Sequence, residues 1–364
     1  MGDIKLKKGT GILFVMAVLF ISSLLYLHYG DQNTLRVGIF YGSNWEVPGT
    51  VHYEILDQAI KKFESKYPNV KVEYEKGILS NDYSEWLSEQ ILKGTEPDVY
   101  LVLDEDFNTL ASLGALKNLD MLVGGDKEFG SNVFYSSVYK AGQYEGSQYA
   151  LPMECNPTLM FVNKTLLQKE GIKVPDNDWT WDDFYDICKT IVKDSDGDGQ
   201  MDQFGCYDYT WLQAVYSNGI TPFNQSGTSS NFLDEKFSQS LEFVKRLEAT
   251  NRNYQVTSND FDLGKVAFRP FTFSDYRTYM PYPWRIKKYS GFEWTCIRMP
   301  AGPSGDNRSE MSALMAGMSS RTEKKQCAWD FVKLLTTDTD IQKLVYEDTS
   351  AASVLKSVNT SQDT

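Results

Sequence analysis

Short apolar runs alternate with turn residues along this chain, and the period of each run predicts its element. Leu35, Val37 and Ile39 alternate with Arg36, Gly38 and Phe40, which predicts a first strand ended by the loop Tyr41 to Trp45. Leu56, Ala59, Ile60, Phe63 and Tyr67 recur at helical spacing and are closed by Pro68. Val70, Val72 and Tyr74 predict a second strand. Trp86, Leu87, Ile91 and Leu92 predict a second helix, stopped by Lys93-Gly94 in the manner of a glycine C-cap. Pro97-Asp98 opens the apolar run Val99 to Leu103, with Asp104, Glu105 and Asp106 at its carboxyl end. This β-α-β-α-β order predicts a parallel, helix-covered sheet. Ligands on such sheets sit beyond the carboxyl ends of the strands, where Ser43 to Trp45 and Asp104 to Asp106 lie.

The stretch Gly146 to Leu167 organises the rest. Its first half alternates, and Leu159 to Val162 is a continuous apolar run like a strand buried on both faces. Pro152 and Pro157 bracket Glu154 and Asn156. Proline belongs at strand starts and edges, so an extended segment that pauses and resumes here reads as a crossover between two domains. Two adjacent strands of one sheet fit the same residues.

Beyond it, Thr180 with Asp183 three residues on predicts a capped helix whose buried stripe is Phe184, Ile187, Cys188 and Ile191. A later helix would bury Leu241, Val244 and Leu247. Met311 to Met318 is small and apolar, and reads as a strand returning to the first sheet. Helices near Glu323 to Leu335 and Asp338 to Glu347 follow, and the polar tail from Ser357 is expected to fray. At the other end, Lys5, Lys7 and Lys8 precede the apolar run Gly11 to Leu27, which predicts export. No A-x-A-like site follows the run, which favours an uncleaved signal anchor over a cleaved signal peptide.

Composition narrows the chemistry. A chain of 364 residues implies two domains. A net charge of −13 excludes a nucleic-acid partner, which would need a basic stripe. The five cysteines show no C-x-x-C spacing, and with two histidines there is little material for His-based catalysis or a His-rich metal site.

One local motif is sharp. In Asp194-Ser-Asp196-Gly-Asp198-Gly-Gln200-Met-Asp202-Gln-Phe-Gly205, carboxylates alternate and glycine stands sixth, as in the first half of an EF-hand calcium loop. Asp194, Asp196, Asp198, Gln200 and Asp202 could supply oxygens to a structural Ca2+. The twelfth position, a bidentate Glu in EF-hands, is Gly205, so a further ligand would have to come from elsewhere; an unliganded acidic turn is the other reading. No phosphate-cradling loop, dinucleotide fingerprint, G-x-S-x-G or H-E-x-x-H is present. Asp106 and Glu154 could pair as in a glycoside hydrolase, though nothing in their spacing prefers that over hydrogen bonding to a polyol. Tyr207, Tyr209, Trp211, Phe271, Phe273, Tyr276 and Tyr282 fall in turn-rich segments. They either line a cleft that stacks on sugar rings or pack beneath loops.

Taken together, V-G-I-F-Y, F-E-S-K-Y-P-N-V-K-V-E-Y, P-D-V-Y-L-V-L-D-E-D-F, G-A-L-K-N-L, G-S-Q-Y-A-L-P, L-M-F-V-N-K-T-L-L and W-T-W-D-D-F, in this order, resemble the extracellular solute-binding proteins of bacterial ABC importers, in the carbohydrate-binding group that includes maltose-binding protein. The resemblance implies a periplasmic-binding-protein-like type II α/β fold: two α/β lobes joined by a multi-strand hinge, with a ligand cleft between them. The first lobe would hold residues 31–151 plus 312–356 and the second 152–311, after an N-terminal segment 1–30 and before a tail 357–364. It implies a monomeric receptor without enzymatic activity, which takes a small-molecule carbohydrate to ABC permease subunits and is held at the cell membrane by its N-terminal helix, extracytoplasmic side out. A sensory or degenerate module without transport is the alternative. Matching positions place Ser43, Asn44, Trp45 and Asp106 on the first lobe, Asn156 at the crossover, and Tyr209, Trp211, Phe271 and Phe273 on the second as ligand contacts. The acidic loop resembles one that binds calcium in some members. The chain lacks the lipobox cysteine usual in Gram-positive members. It also ends near the third hinge crossing, where members continue with second-lobe helices, so it is expected to be truncated relative to the family.

Overall fold

The computed structural model describes residues 33–45, 52–224, 226–252, 254–279 and 292–360. The N-terminal apolar run, Tyr282 and residues 361–364 lie outside them. The first strand β1 (Thr34–Gly38) pairs in parallel with β2 (Lys71–Tyr74) and β3 (Val99–Val102), giving the order β2-β1-β3. Their connections are the helices His52–Lys66 and Tyr83–Lys93, the second closed by Gly94 at φ +70°. The parallel helix-covered sheet expected from the periodicity is therefore present. A two-strand hairpin, β4 (Gln143–Tyr144) and β5 (Ser147–Gln148), precedes the long strand β6 (Ala150–Asn163).

β6 is one continuous strand of 14 residues, without the pause expected at its prolines. The ladders around it absorb them instead. In its first half it pairs antiparallel with β10 (Met311–Met318), which also pairs with β3, and the register slips at Met153, beside Pro152. Pro157 is the last residue paired with β10, and from Thr158 onward the partners are β8 (Val266–Thr272) and β9 (Trp294–Ile297). Each proline thus stands where a ladder breaks, the positions where a missing N–H costs least. β7 (Phe204–Cys206) extends β8 in parallel at the far edge, and β11 (Ala352–Ser353), which the sequence reading missed, pairs with Cys155 and Glu154 of β6.

Two principal cores result. The first gathers residues from Leu35 to Met153 with Ala313 to Val345, and the second those from Met160 to Met299. β6 feeds both, so it carries the chain from a first lobe to a second. The capping box of Thr180 and Asp183 is formed, and Phe184, Cys188 and Ile191 of helix Trp181–Ile191 are buried, with Ile187 half-buried. Helix Glu235–Glu248 buries Phe237, Phe243, Val244 and Leu247 but leaves Leu241 exposed, because the helix face is set by Phe237 and Phe243 rather than by Leu241. As far as residue 360 the tail is ordered, contrary to the fraying expected from its polarity. Val354, Leu355 and Val358 close a small core with Phe134, Val138 and Cys155, and Lys356–Asn359 is the last helix of the described residues. Among the described residues no helix is long and apolar enough to cross a membrane.

Candidate solute-binding cleft

The carboxyl ends of β1 and β3 face the crossover. After β1 the chain turns through Ser43, whose Oγ accepts the Trp45 N–H at 2.9 Å. This small turn sets the direction of Trp45, and its indole Nε1 donates to Glu154 Oε2 at 2.8 Å. Glu154 lies in β6 and is fully buried, whereas Ser43, Asn44 and Trp45 are half-buried. A first-lobe aromatic is thereby fastened to the crossover strand. After β3 the helix Asp104–Ser112 begins at once, with all its acidic residues in the first turn, where the helix dipole favours them. Asp106 is half-buried and accepts the Ser84 hydroxyl at 2.5 Å.

Three segments meet electrostatically in front of these ends. Asp104 belongs to the first lobe, Glu310 precedes β10 at the crossover, and Tyr216 lies on helix Trp211–Ser217 of the second lobe. Asp104 keeps surface open to solvent yet is hemmed in by protein. This crowding, with Glu105 and Glu310 adding repulsion, pushes its carboxyl up to about 6. Burial also raises Glu310. Burial first, and then Glu310 and Asp104, raise the half-buried Tyr216. Nearby, a Cβ on Gly227 of the second lobe would stand 3.8 Å from Asn108 Nδ2 of the first, so the lobes approach each other at this rim. Two carboxylates and a phenol, from the first lobe, the crossover and the second lobe, are thereby brought together. Such a set can hydrogen-bond hydroxyls and stack on a ring.

The remaining expected contacts divide. Asn156 is buried and makes a reciprocal pair with Ser274: its Nδ2 donates to Ser274 Oγ and its Oδ1 accepts Ser274 N–H, each at 2.9 Å. It ties the crossover to the second lobe and has little left for a ligand. Tyr209 belongs to the second core, packed on Phe184 and Phe243, because the turn after β7 folds inward. Phe271 is buried against Phe161 and Phe261, with the Arg269 guanidinium 4.0 Å above its ring. Both rings are buried in second-lobe cores. Phe273 is half-buried beside Tyr276 and Tyr346. Trp211 is exposed, in a groove bounded by second-lobe residues alone. Sequence reasoning missed Tyr216 and Glu310; the trace left in the sequence is the charge of Glu310 just before an apolar strand.

Of the five candidate metal residues, Asp194, Asp196 and Asp202 each place a carboxylate oxygen within 4.8 Å of the other two. Asp194 accepts the Gly197 and Gly199 N–H groups at 2.6 and 2.8 Å, which with those of Ser195 to Asp202 wrap the loop and hold both acids below their ordinary range. Asp198 is not in the group; its Oδ1 accepts Gln200 N–H at 2.7 Å. Hard carboxylate oxygens converging in a tight loop fit a hard cation such as Ca2+. Gly205 explains the missing twelfth ligand. It sits in β7, and a Cβ there would come within 2.4 Å of Cys188 Cβ, so no glutamate fits.

A family model for bacterial extracellular solute-binding proteins matches residues 48–341. The chain belongs to this family. Its lobes, crossover strands and interlobe gap are the type II binding-protein fold, and the sugar-binding protein MalE from Xanthomonas citri superposes with a TM-score of 0.70 at 16% identity, covering 89% of this chain and 80% of that one. Among curated solute-binding proteins, the diacetylchitobiose binding protein DasA of Streptomyces coelicolor is 26% identical over 211 residues, which cover 57% of this chain and 47% of DasA. The multiple sugar-binding protein of Streptococcus mutans is 28% identical over 140 residues, 37% of this chain and 30% of that protein. The chain therefore spans about half the length of the first of these relatives and under a third of the second.

Proposed function

We propose that the chain is the extracytoplasmic receptor of an ABC importer, binding a sugar or oligosaccharide between its lobes and passing it to the permease without covalent chemistry. The observation that carries this reading is Trp45, a half-buried indole of the first lobe pinned by Glu154 of the crossover strand, with Asp104 and Asp106 standing at the carboxyl end of the neighbouring strand β3. An indole with its N–H already engaged offers a ring face rather than a donor, and carboxylates accept sugar hydroxyls. Ser43, Asn44 and Phe273 complete the set, Asn156 acts by holding the hinge, and the lobes run 31–151 with 312–356 and 152–311. Closure of the lobes on the solute would shift the population towards a closed form. We assign the apolar run Gly11 to Leu27 to a membrane anchor, and Asp194, Asp196 and Asp202, with Asp198 and the Gln200 carbonyl completing the shell, to a structural calcium ion. The sequence-similar relatives named for diacetylchitobiose and for multiple sugars support the carbohydrate class. Calorimetric titration of the protein and of Trp45→Ala with a sugar panel tests the reading. One sugar should bind the parent and lose about tenfold or more in affinity on loss of the indole, as expected for about 1.4 kcal/mol of stacking. Equal binding by both proteins would remove Trp45 from the site.

A further inference from the structure

The second lobe holds a groove of about 860 Å³ that the interlobe gap does not account for. It runs beside the edge strand β7 between the turn Tyr207–Trp211, helix Glu235–Glu248 and the segment around Tyr254, and no described residue of the first lobe borders it. Its size falls in the range of about 300–1,000 Å³ usual for small-molecule sites. Two large aromatics stand on its walls in the open: Trp211 and Tyr254 are each 41% exposed. Neither is loose. Trp211 is backed by Phe237 at 5.7 Å, itself packed on Phe232 at 5.0 Å, and Tyr254 lies stacked on Phe204 at 4.5 Å. Rigid exposed rings with their apolar faces in water are what a stacking ligand requires, because little side-chain entropy is left to lose.

The polar groups on the same walls identify the ligand class. Asp208 and Glu248 supply carboxylates and Lys245 an ammonium. Asp208 stands in the left-handed region at φ +64°, its carboxylate 3.7 Å from the Arg269 guanidinium. Among the described residues the buried Asn251 Oδ1 has no hydrogen-bond partner. Opposite charges are balanced here, so neither a cation nor an anion is selected, and an apolar ligand would strip water from several charges without return. Flat rings ringed by balanced donors and acceptors match a neutral polyol with an apolar face.

We propose that this groove is a second carbohydrate site, taking a mono- or disaccharide unit stacked on Trp211 and Tyr254, separate from the interlobe cleft. It stands whether or not the cleft reading does. The test uses the full chain labelled with 5-fluorotryptophan, in a detergent without a sugar headgroup, with the Trp45 and Trp211 fluorine resonances assigned through single Trp→Phe variants. N,N′-diacetylchitobiose and mannotriose are the probes. We expect a saturable shift of the Trp211 resonance with at least one sugar, retained in Trp45→Ala. Tyr254→Ala should weaken the Trp211 titration by about tenfold while the Trp45 midpoint moves by less than about twofold. Asp208→Asn, which leaves the aromatic packing intact, should also weaken the Trp211 titration and covers the case in which Tyr254→Ala fails to fold. A Trp211 resonance unmoved by both sugars up to their solubility overturns the proposal, whatever Trp45 does. So does a Trp211 shift that vanishes in Trp45→Ala, since it would then report lobe closure. Movement at Trp211 with silence at Trp45 instead counts against the cleft alone.

Discussion

Replacing Gln342 with leucine should destabilise the hinge far more than any contact visible in the sequence would suggest. Gln342, in helix Thr339–Asp348, is fully buried and uses its whole amide. Its Nε2 donates to Met153 O, the carbonyl at the β6 register slip, and to Leu335 O, both at 3.0 Å. Its Oε1 accepts from Ser353 Oγ at 2.7 Å and Val354 N at 3.2 Å. One side chain therefore joins the crossover strand, helix Lys325–Thr337 and the β11 segment. Leucine has similar bulk but leaves these groups buried and unpaired. A lost neutral hydrogen bond is worth about 0.5–1.5 kcal/mol net and an orphaned buried group about 1–3 kcal/mol, so even with partial relaxation the loss should be about 3–5 kcal/mol. Urea unfolding followed by tryptophan fluorescence should show a lower midpoint at unchanged slope. Gln342→Glu should be nearly as damaging, because it sets a second acceptor against two carbonyls. A Gln342→Leu loss below about 1 kcal/mol would refute the hub, since that is the scale of a single solvated contact.

Further outcomes follow from the same structure. The folded Asp104 carboxyl lies at about 6 instead of 3.8, so the folded chain holds this proton more tightly than the unfolded one. That contribution is present below about pH 4 and is lost as pH rises through 6; Asp104→Asn should therefore gain stability relative to the parent at pH 7 but not at pH 3.5, read from paired melting curves. Gly205→Ala places a Cβ within 2.4 Å of Cys188 Cβ and 2.6 Å of its Cα, and should cost about 1–3 kcal/mol or more; melting within a degree of the parent would mean that β7 can shift away freely. Calcium should raise the melting temperature, a chelator should reverse the rise and Asp194→Asn should abolish it, whereas an unresponsive parent would leave the loop an acidic turn.

Much of the fold was legible because its signals are local. Alternation marked β1 and β2, the apolar run Val99 to Leu103 marked β3, and Thr180 with Asp183 marked a helix start that the side chains do form. The crossover was visible, but its continuity was not, since only the neighbouring strands reveal that Pro152 and Pro157 stand at ladder breaks. β11 and the packed segment Val354 to Val358 escaped for the same reason: Val354, Leu355 and Val358 show their role only against Phe134 and Cys155, about two hundred residues away. On the first lobe the strand ends pointed to Ser43 to Trp45 and to Asp104 to Asp106, which the structure does place after β1 and β3. On the second lobe the sequence offered no such guide, because turn-rich surroundings say nothing of which way a ring points. Tyr209 and Phe271 turn inward, Trp211 turns to its own groove, and Tyr216 and Glu310 meet Asp104 only through the packing of three segments.

The most direct test of the receptor reading is thermal unfolding of the full chain against a panel of mono- and oligosaccharides, with calcium present throughout. A ligand that binds only the folded state adds about 2.7 kcal/mol at a hundredfold excess over its dissociation constant, a shift of several degrees. At least one sugar should produce such a rise, reduced in Trp45→Ala. A cooperative melt that no sugar displaces, in a protein that still responds to calcium, would contradict it.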